Sequence, residues 1–167
     1  MQVFEEKDLL WQNSTTYKQL AALIQDLIGT NTVKKVLCFG LGDFCRSAPE
    51  WLKEQHGSWD ETSDIENVTG CIIQHSMAIT IAQLCRGNET VPLLAQDPDY
   101  TELAEKILTN NGFKIVGPHG AGGFAEIDEE SIVISAFAAA PVKQIIADLA
   151  RPMLIISTGF NVFNSNE

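Results

Sequence analysis

The stretch Val36–Phe44, VLCFGLGDF, decides how this chain is read. An apolar run from Val36 to Phe39 feeds directly into Gly40-Leu41-Gly42-Asp43. Val33–Phe39 reads as a strand that opens with a Lys pair and then turns apolar, and near-continuous apolar residues suit a strand buried on both faces, the habit of parallel sheets. Two glycines at the end of such a strand fill the first two places of the fingerprint Gly-x-Gly-x-x-Gly, which opens dinucleotide-binding folds. The first glycine permits a tight turn, the second lets backbone approach a pyrophosphate, and the third lets helix and strand pack closely. Cys45 stands in the third place. No apolar helix follows at once either, because the polar residues 46–69 intervene before the apolar segment that starts at Cys71. The stretch therefore builds the floor of a cofactor-type pocket, while the parts that normally hold pyrophosphate are out of their usual place. Its glycines serve either the turn itself or a ligand contact.

Outward from that floor, helix and strand patterns alternate. Upstream, NSTTYKQLAALIQDLIG (13–29) spaces Tyr17, Leu20, Ala21, Ile24, Leu27 and Ile28 on one helix face, with Ser14 as N-cap and Gly29 as stop. Downstream, Ser47 and Glu50 have the spacing of a capping box, which predicts a short helix over 48–55 ending at Gly57. The rest of 46–69 reads as an acidic loop carrying Trp59, with Trp51 just before it in the short helix; the segment is an insertion or a lid. CIIQHSMAITIAQLCRG (71–87) is apolar almost all round and predicts a buried helix on the sheet. A second strand follows over Val91–Gln96, then a helix over Pro98–Asn111 capped by Asp97 or Asp99, with Tyr100, Leu103, Ala104, Ile107 and Leu108 inward. Further strands are expected at Phe113–Val116, Ser131–Phe137 and Met153–Ser157. A helix over Pro141–Ala150 turns Val142, Ile145, Ile146 and Leu149 inward, and the tail after Ser157 frays. This order predicts an α/β fold: a Rossmann-like three-layer sandwich with a mostly parallel sheet of about five strands. Residues 1–167 are expected to form a single domain with 46–69 as its insertion.

Composition narrows the partners. The net charge of −11 disfavours nucleic acid, whose backbone demands a cationic surface, and disfavours an anionic membrane for the same reason. No apolar run approaches a membrane span, and the acidic N-terminus lacks the pattern of a signal peptide, so a cytoplasmic or nuclear location is expected. Cys38, Cys45, Cys71 and Cys85 include no Cys-x-x-Cys pair and read as small buried hydrophobes rather than as zinc ligands or a disulfide frame.

Ligands of open α/β sheets bind beyond the carboxyl ends of the strands. That rule selects a rim made by residues 40–44, 97–100, 117–120, 138–141 and 157–161. Candidate contacts on it are Gly40, Leu41, Gly42, Asp43, Asp97, Pro98 and His119. Asp97 either binds a ribose or caps the following helix. His119 is either a proton carrier or ligand contact in a glycine-rich loop, or simply an exposed residue. Gln74 and His75 are polar in an apolar segment and must find partners, in loop backbone or in a ligand. No nucleophile elbow, Walker loop or His-Glu-x-x-His is present, so no catalytic or metal-binding residue is assigned.

Taken in order, VLCFGLGDF, CIIQHSMAITIAQL, VPLLAQDPDYTELAEKILTNNGFKIV, GFAEIDEESIVISAF and PVKQIIADLARPMLII resemble the SENSITIVITY TO RED LIGHT REDUCED-like domain family, especially its fungal branch, over residues 33–157. The resemblance implies signalling: the plant founder is tied to light responses and the circadian clock, animal members to heme metabolism and the clock. It brings no established enzymatic activity. It carries over Gly40-Leu41-Gly42, Gln74 and Asp97-Pro98, while the acidic segment 46–69 departs from it. Three functions follow as expectations. The first is a non-catalytic regulatory or small-ligand-binding protein. The second is a transferase using S-adenosylmethionine or another nucleotide cofactor; nicotinamide nucleotide and heme are further candidate ligands. The third is an interaction module whose acidic insertion, with Trp51 and Trp59, docks a basic partner protein.

Overall fold

Five short strands make one sheet: β1 (Lys35–Phe39), β2 (Leu93–Gln96), β3 (Phe113–Ile115), β4 (Ser131–Ser135) and β5 (Leu154–Ser157). Their order is β3-β2-β1-β4-β5, and every neighbouring pair is parallel. The expected Rossmann-like sandwich is thus present. The computed structural model describes residues 2–85, 90–138 and 141–158; the side chain of Trp51 also lies outside the description. Parts of two predicted rim segments, the end of the predicted 71–87 helix and most of the predicted frayed tail therefore fall outside the described residues.

β1 sits at the centre, with Val36 opposite Leu93 and Ile132, and Phe39 opposite Gln96 and Ser135. Its side chains alternate between two cores, as the pleat requires. Val36 and Cys38 enter the larger core with Ile72, Ile81, Ala104 and Leu108. Leu37 and Phe39 enter the smaller one with Val133, Val142 and Ile146. One face of the sheet is thus covered by α4 (Glu61–Leu84) and α5 (Glu102–Asn110), the other by α6 (Val142–Leu149). The strand order reverses between β1 and β4, which opens a crevice beyond their carboxyl ends. None of the described helices is long and apolar enough to cross a membrane.

Several local expectations are corrected. An unforeseen helix, α1 (Gln2–Gln12), packs with α2 (Thr15–Ile28) against α4. It is held by the Trp11 indole donating to Thr80 Oγ1 at 3.0 Å and by Phe4 against Phe44. α1 buries Phe4 and Trp11 while Val3, Leu9 and Leu10 stay exposed, so its apolar residues do not fall on one face and show no clear period. α2 begins as expected, with Ser14 accepting from the Tyr17 amide. The short helix α3 spans Glu50–His56 and ends on Gly57 in a left-handed conformation, but Pro49 is its N-cap and no Ser47–Glu50 box forms. The supposed loop after it is helical from Glu61, because Asp60 and Ser63 form the capping box instead. α5 starts later than expected and is capped by Thr101, whose hydroxyl accepts from Ala104 N, so neither Asp97 nor Asp99 caps it. Leu27, Leu103 and Leu149 are exposed rather than inward.

Candidate functional site

The turn after β1 needs both of its glycines for packing. Gly40 and Gly42 have positive φ, +65° and +79°, where a side chain is strained. A Cβ on Gly40 would lie 2.3 Å from the Ala138 amide nitrogen, and one on Gly42 would lie 2.5 Å from Cys71 Sγ. The turn therefore presses against the loop after β4 and against α4.

Two carboxylates lock this turn to the loop after β2. Asp97 reaches across so that its Oδ2 accepts the Gly42 amide at 2.8 Å, while its Oδ1 accepts from Asp99 N at 2.9 Å. Asp43 reaches the other way, accepting from Thr101 N at 2.6 Å and from Cys45 N at 2.5 Å. Both acids are buried. Burial pushes the Asp97 carboxyl above its ordinary value, against the lowering pull of the two amides. The Gly42 amide that a dinucleotide fold offers to pyrophosphate is here bonded to an internal carboxylate.

Beyond this clasp lies a cavity of about 810 Å³, of the size that small-molecule sites occupy. Gly40, Leu41, Gly42, Asp43, Gln74, Asp97, Pro98 and His119 all line it. His75 does not. It is fully buried behind the turn, with Nδ1 2.7 Å from Cys71 O and Nε2 2.8 Å from Tyr100 Oη. A carbonyl only accepts, so Nδ1 carries the proton and Nε2 accepts from the tyrosine hydroxyl. Burial lowers the His75 pKa to about 4, and the ring stays neutral between Phe44 and Phe113.

Apart from Gln74, the remaining walls come from residues that the sequence did not single out as small-molecule contacts. Along α4, Ser63, Glu66, Asn67, Gly70, Cys71 and Gln74 face the cavity at i, i+3, i+4 spacing. Once Asp60 and Ser63 are recognised as the start of a helix, that period is readable. Opposite, α3 and its flanks contribute Leu52, His56 and Trp59. This segment is latched inward by Asp64, whose Oδ1 accepts from Trp59 Nε1 at 2.9 Å and from Ala48 N at 3.2 Å. These donors hold the Asp64 carboxyl below its ordinary value. Arg46 bridges to Asp99 at 2.5 Å and ties the segment to the loop after β2. The glycine-rich loop is fixed through Gln96, which donates to Gly120 O and accepts from Gly123 N, and through Phe39 stacked on Phe124 at 4.5 Å. It leaves His119 exposed at the cavity mouth.

Cys71, the one thiol on the cavity wall, is pushed to about 12, mainly by burial and further by Asp97 and Asp43. At neutral pH it is a thiol, not a nucleophile. Among the described residues no cluster of His, Cys, Asp and Glu has the geometry to hold a metal ion.

A doubly wound parallel sheet with a ligand-sized cavity at its switch point defines the general class, a Rossmann-like α/β protein. The model of the SRR1 domain family matches residues 16–167, and the chain belongs to that family. Neither the curated proteins nor the solved structures contain a significant match.

Proposed function

We propose that this SRR1-domain protein is a regulatory module that binds a small molecule in the rim cavity without transforming it. The observation that carries the reading is the state of the rim acids. Asp43 and Asp97, the groups best placed for acid–base work, both spend their oxygens on backbone amides and hold the cavity in shape. The protonated Cys71 thiol supports the same view. Gly40, Leu41, Gly42, Asp43, Gln74, Asp97, Pro98 and His119 are the proposed contacts. The signalling role in light and clock responses, as a single cytoplasmic or nuclear domain, belongs to this proposal.

The test is thermal unfolding of the pure protein with S-adenosylmethionine, nicotinamide cofactors, ATP, heme and a metabolite library. Any hit is then incubated for hours and analysed chemically. A ligand at about 100 times its Kd adds roughly 2.7 kcal/mol, or several degrees in a chain of this size. The reading expects such a shift, its loss in Gly70→Leu, and recovery of the ligand unchanged. Turnover of the ligand would instead establish the transferase reading, which rests on the same cavity. The partner-docking reading draws less support, because the Trp59 indole is bonded to Asp64 and lines the cavity.

A further inference from the structure

The cavity has two unlike polar walls, and together they restrict what fits. At the glycine turn, the amide that would meet a pyrophosphate is already bonded. The Gly42 amide is held by the Asp97 carboxylate, with Asp43 beside it. Glu66 and Asp99 face the same space, no lysine lines it, and the guanidinium of Arg46 is paired with Asp99. A phosphate would find its amide taken and several carboxylates around it, an arrangement that repels anions.

The α4 wall is the reverse. Gln74 lines the cavity, and its buried Oε1 has no hydrogen-bond partner among the described residues, although buried carbonyl oxygens nearly always have one. One turn earlier, Gly70 interrupts the middle of a 24-residue helix. Glycine is a poor residue there. Neither backbone conformation nor packing explains it: its φ is not positive, and a Cβ would meet nothing within 4 Å. What Gly70 does supply is space on the cavity side, one helical turn from Gln74. The surfaces of Phe39, Trp59 and Phe124 add aromatic lining.

Building on the cavity reading above, we propose that the ligand is a flat, phosphate-free heteroaromatic molecule of nucleoside size, with an amino or ring N–H group donating to Gln74. Base–aromatic contact supplies affinity, and the Gln74 side chain, turning its unpartnered oxygen from the wall toward the ligand, supplies orientation. The carboxylates at the turn exclude nucleotides.

The experiment titrates the intact protein with the four ribonucleosides and with their 5′-diphosphates, by calorimetry and thermal unfolding. At least one nucleoside should bind, with its diphosphate about tenfold weaker or worse. Gln74→Leu should weaken the nucleoside about tenfold while leaving the unfolding midpoint of the free protein nearly unchanged. Gly70→Ala should raise the midpoint of the free protein yet weaken binding. Asp97→Asn should narrow the gap between nucleoside and diphosphate; if that variant does not fold, the Gln74 and Gly70 variants still decide. A diphosphate that binds as tightly as its nucleoside overturns the proposal, as does failure of all four nucleosides. A ligand of another class whose binding is lost in Gly70→Leu would leave the cavity reading standing and this one overturned, whereas silence from every ligand overturns both.

Discussion

The glycine turn and the first half of α4 face each other across one cavity, and they treat their polar groups in opposite ways. At the turn, Asp43, Asp97 and the amides of Gly42, Asp99 and Thr101 are bonded to one another. On α4, Gln74 Oε1 has no partner among the described residues, and Gly70 leaves open space. Closed pairing makes the turn a scaffold, and in our proposal the open valence on α4 provides the ligand's orienting contact. A Gly-x-Gly sequence therefore reports a tight approach of backbone to something, and here Ala138 and Cys71 stand at that close approach.

The harshest way to break the comparison is to attack the scaffold side. Gly40→Ala places a Cβ against backbone at a left-handed φ, so it should destabilise by about 3 kcal/mol or more in urea titration. A neutral cost would mean that the turn is not packed as described.

Acid should open the same region from behind. His75 has a folded pKa near 4 against an unfolded value of 6.5, so the unfolded chain takes up the proton first. Stability should fall as pH drops from about 6.5 to about 4, by something on the order of 3 kcal/mol. Asp97 works in the other sense: its raised folded pKa means that the native state gains a proton early, which favours folding in acid. Replacing His75 with Phe should flatten the downward slope, and denaturant titrations between pH 4 and pH 7 read both effects.

Milder changes sharpen the ligand side. Asp64→Ala removes the latch on Trp59 and Ala48, so amides of residues 48–59 should exchange faster with solvent while the global unfolding midpoint moves little. Gly70→Ala should have the smallest effect, a gain of about 0.5–1 kcal/mol in the free protein. Stabilisation joined to weaker binding is the signature of a residue kept small for a ligand.

Much of the scaffold was legible in the sequence because it is written locally. The apolar run before Gly40 marked the central strand, Ser14 marked α2, and the alternation of periods marked the sheet. The cavity was less so. Its α4 wall starts with Glu61, Thr62 and Ser63, which show no apolar period, and its capping box uses Ser63 where Glu or Gln is the familiar signal. α1 was hidden for the same reason. Asp97 stood out, but its partner Gly42 lies 55 residues away, a pairing that only the sheet order creates. Gln74 and His75 looked alike in sequence. About 100° of helix rotation separates them, enough to give His75 two buried partners and leave Gln74 facing the cavity.

The most direct test is the Gly42 amide itself, followed by NMR during a pH titration and during addition of ADP. Held by Asp97, it should be strongly protected from exchange. Its shift should follow a carboxyl that titrates above the ordinary aspartate value, and ADP should leave it unmoved. A Gly42 amide that exchanges freely and shifts on ADP addition would show an open phosphate site and contradict the account.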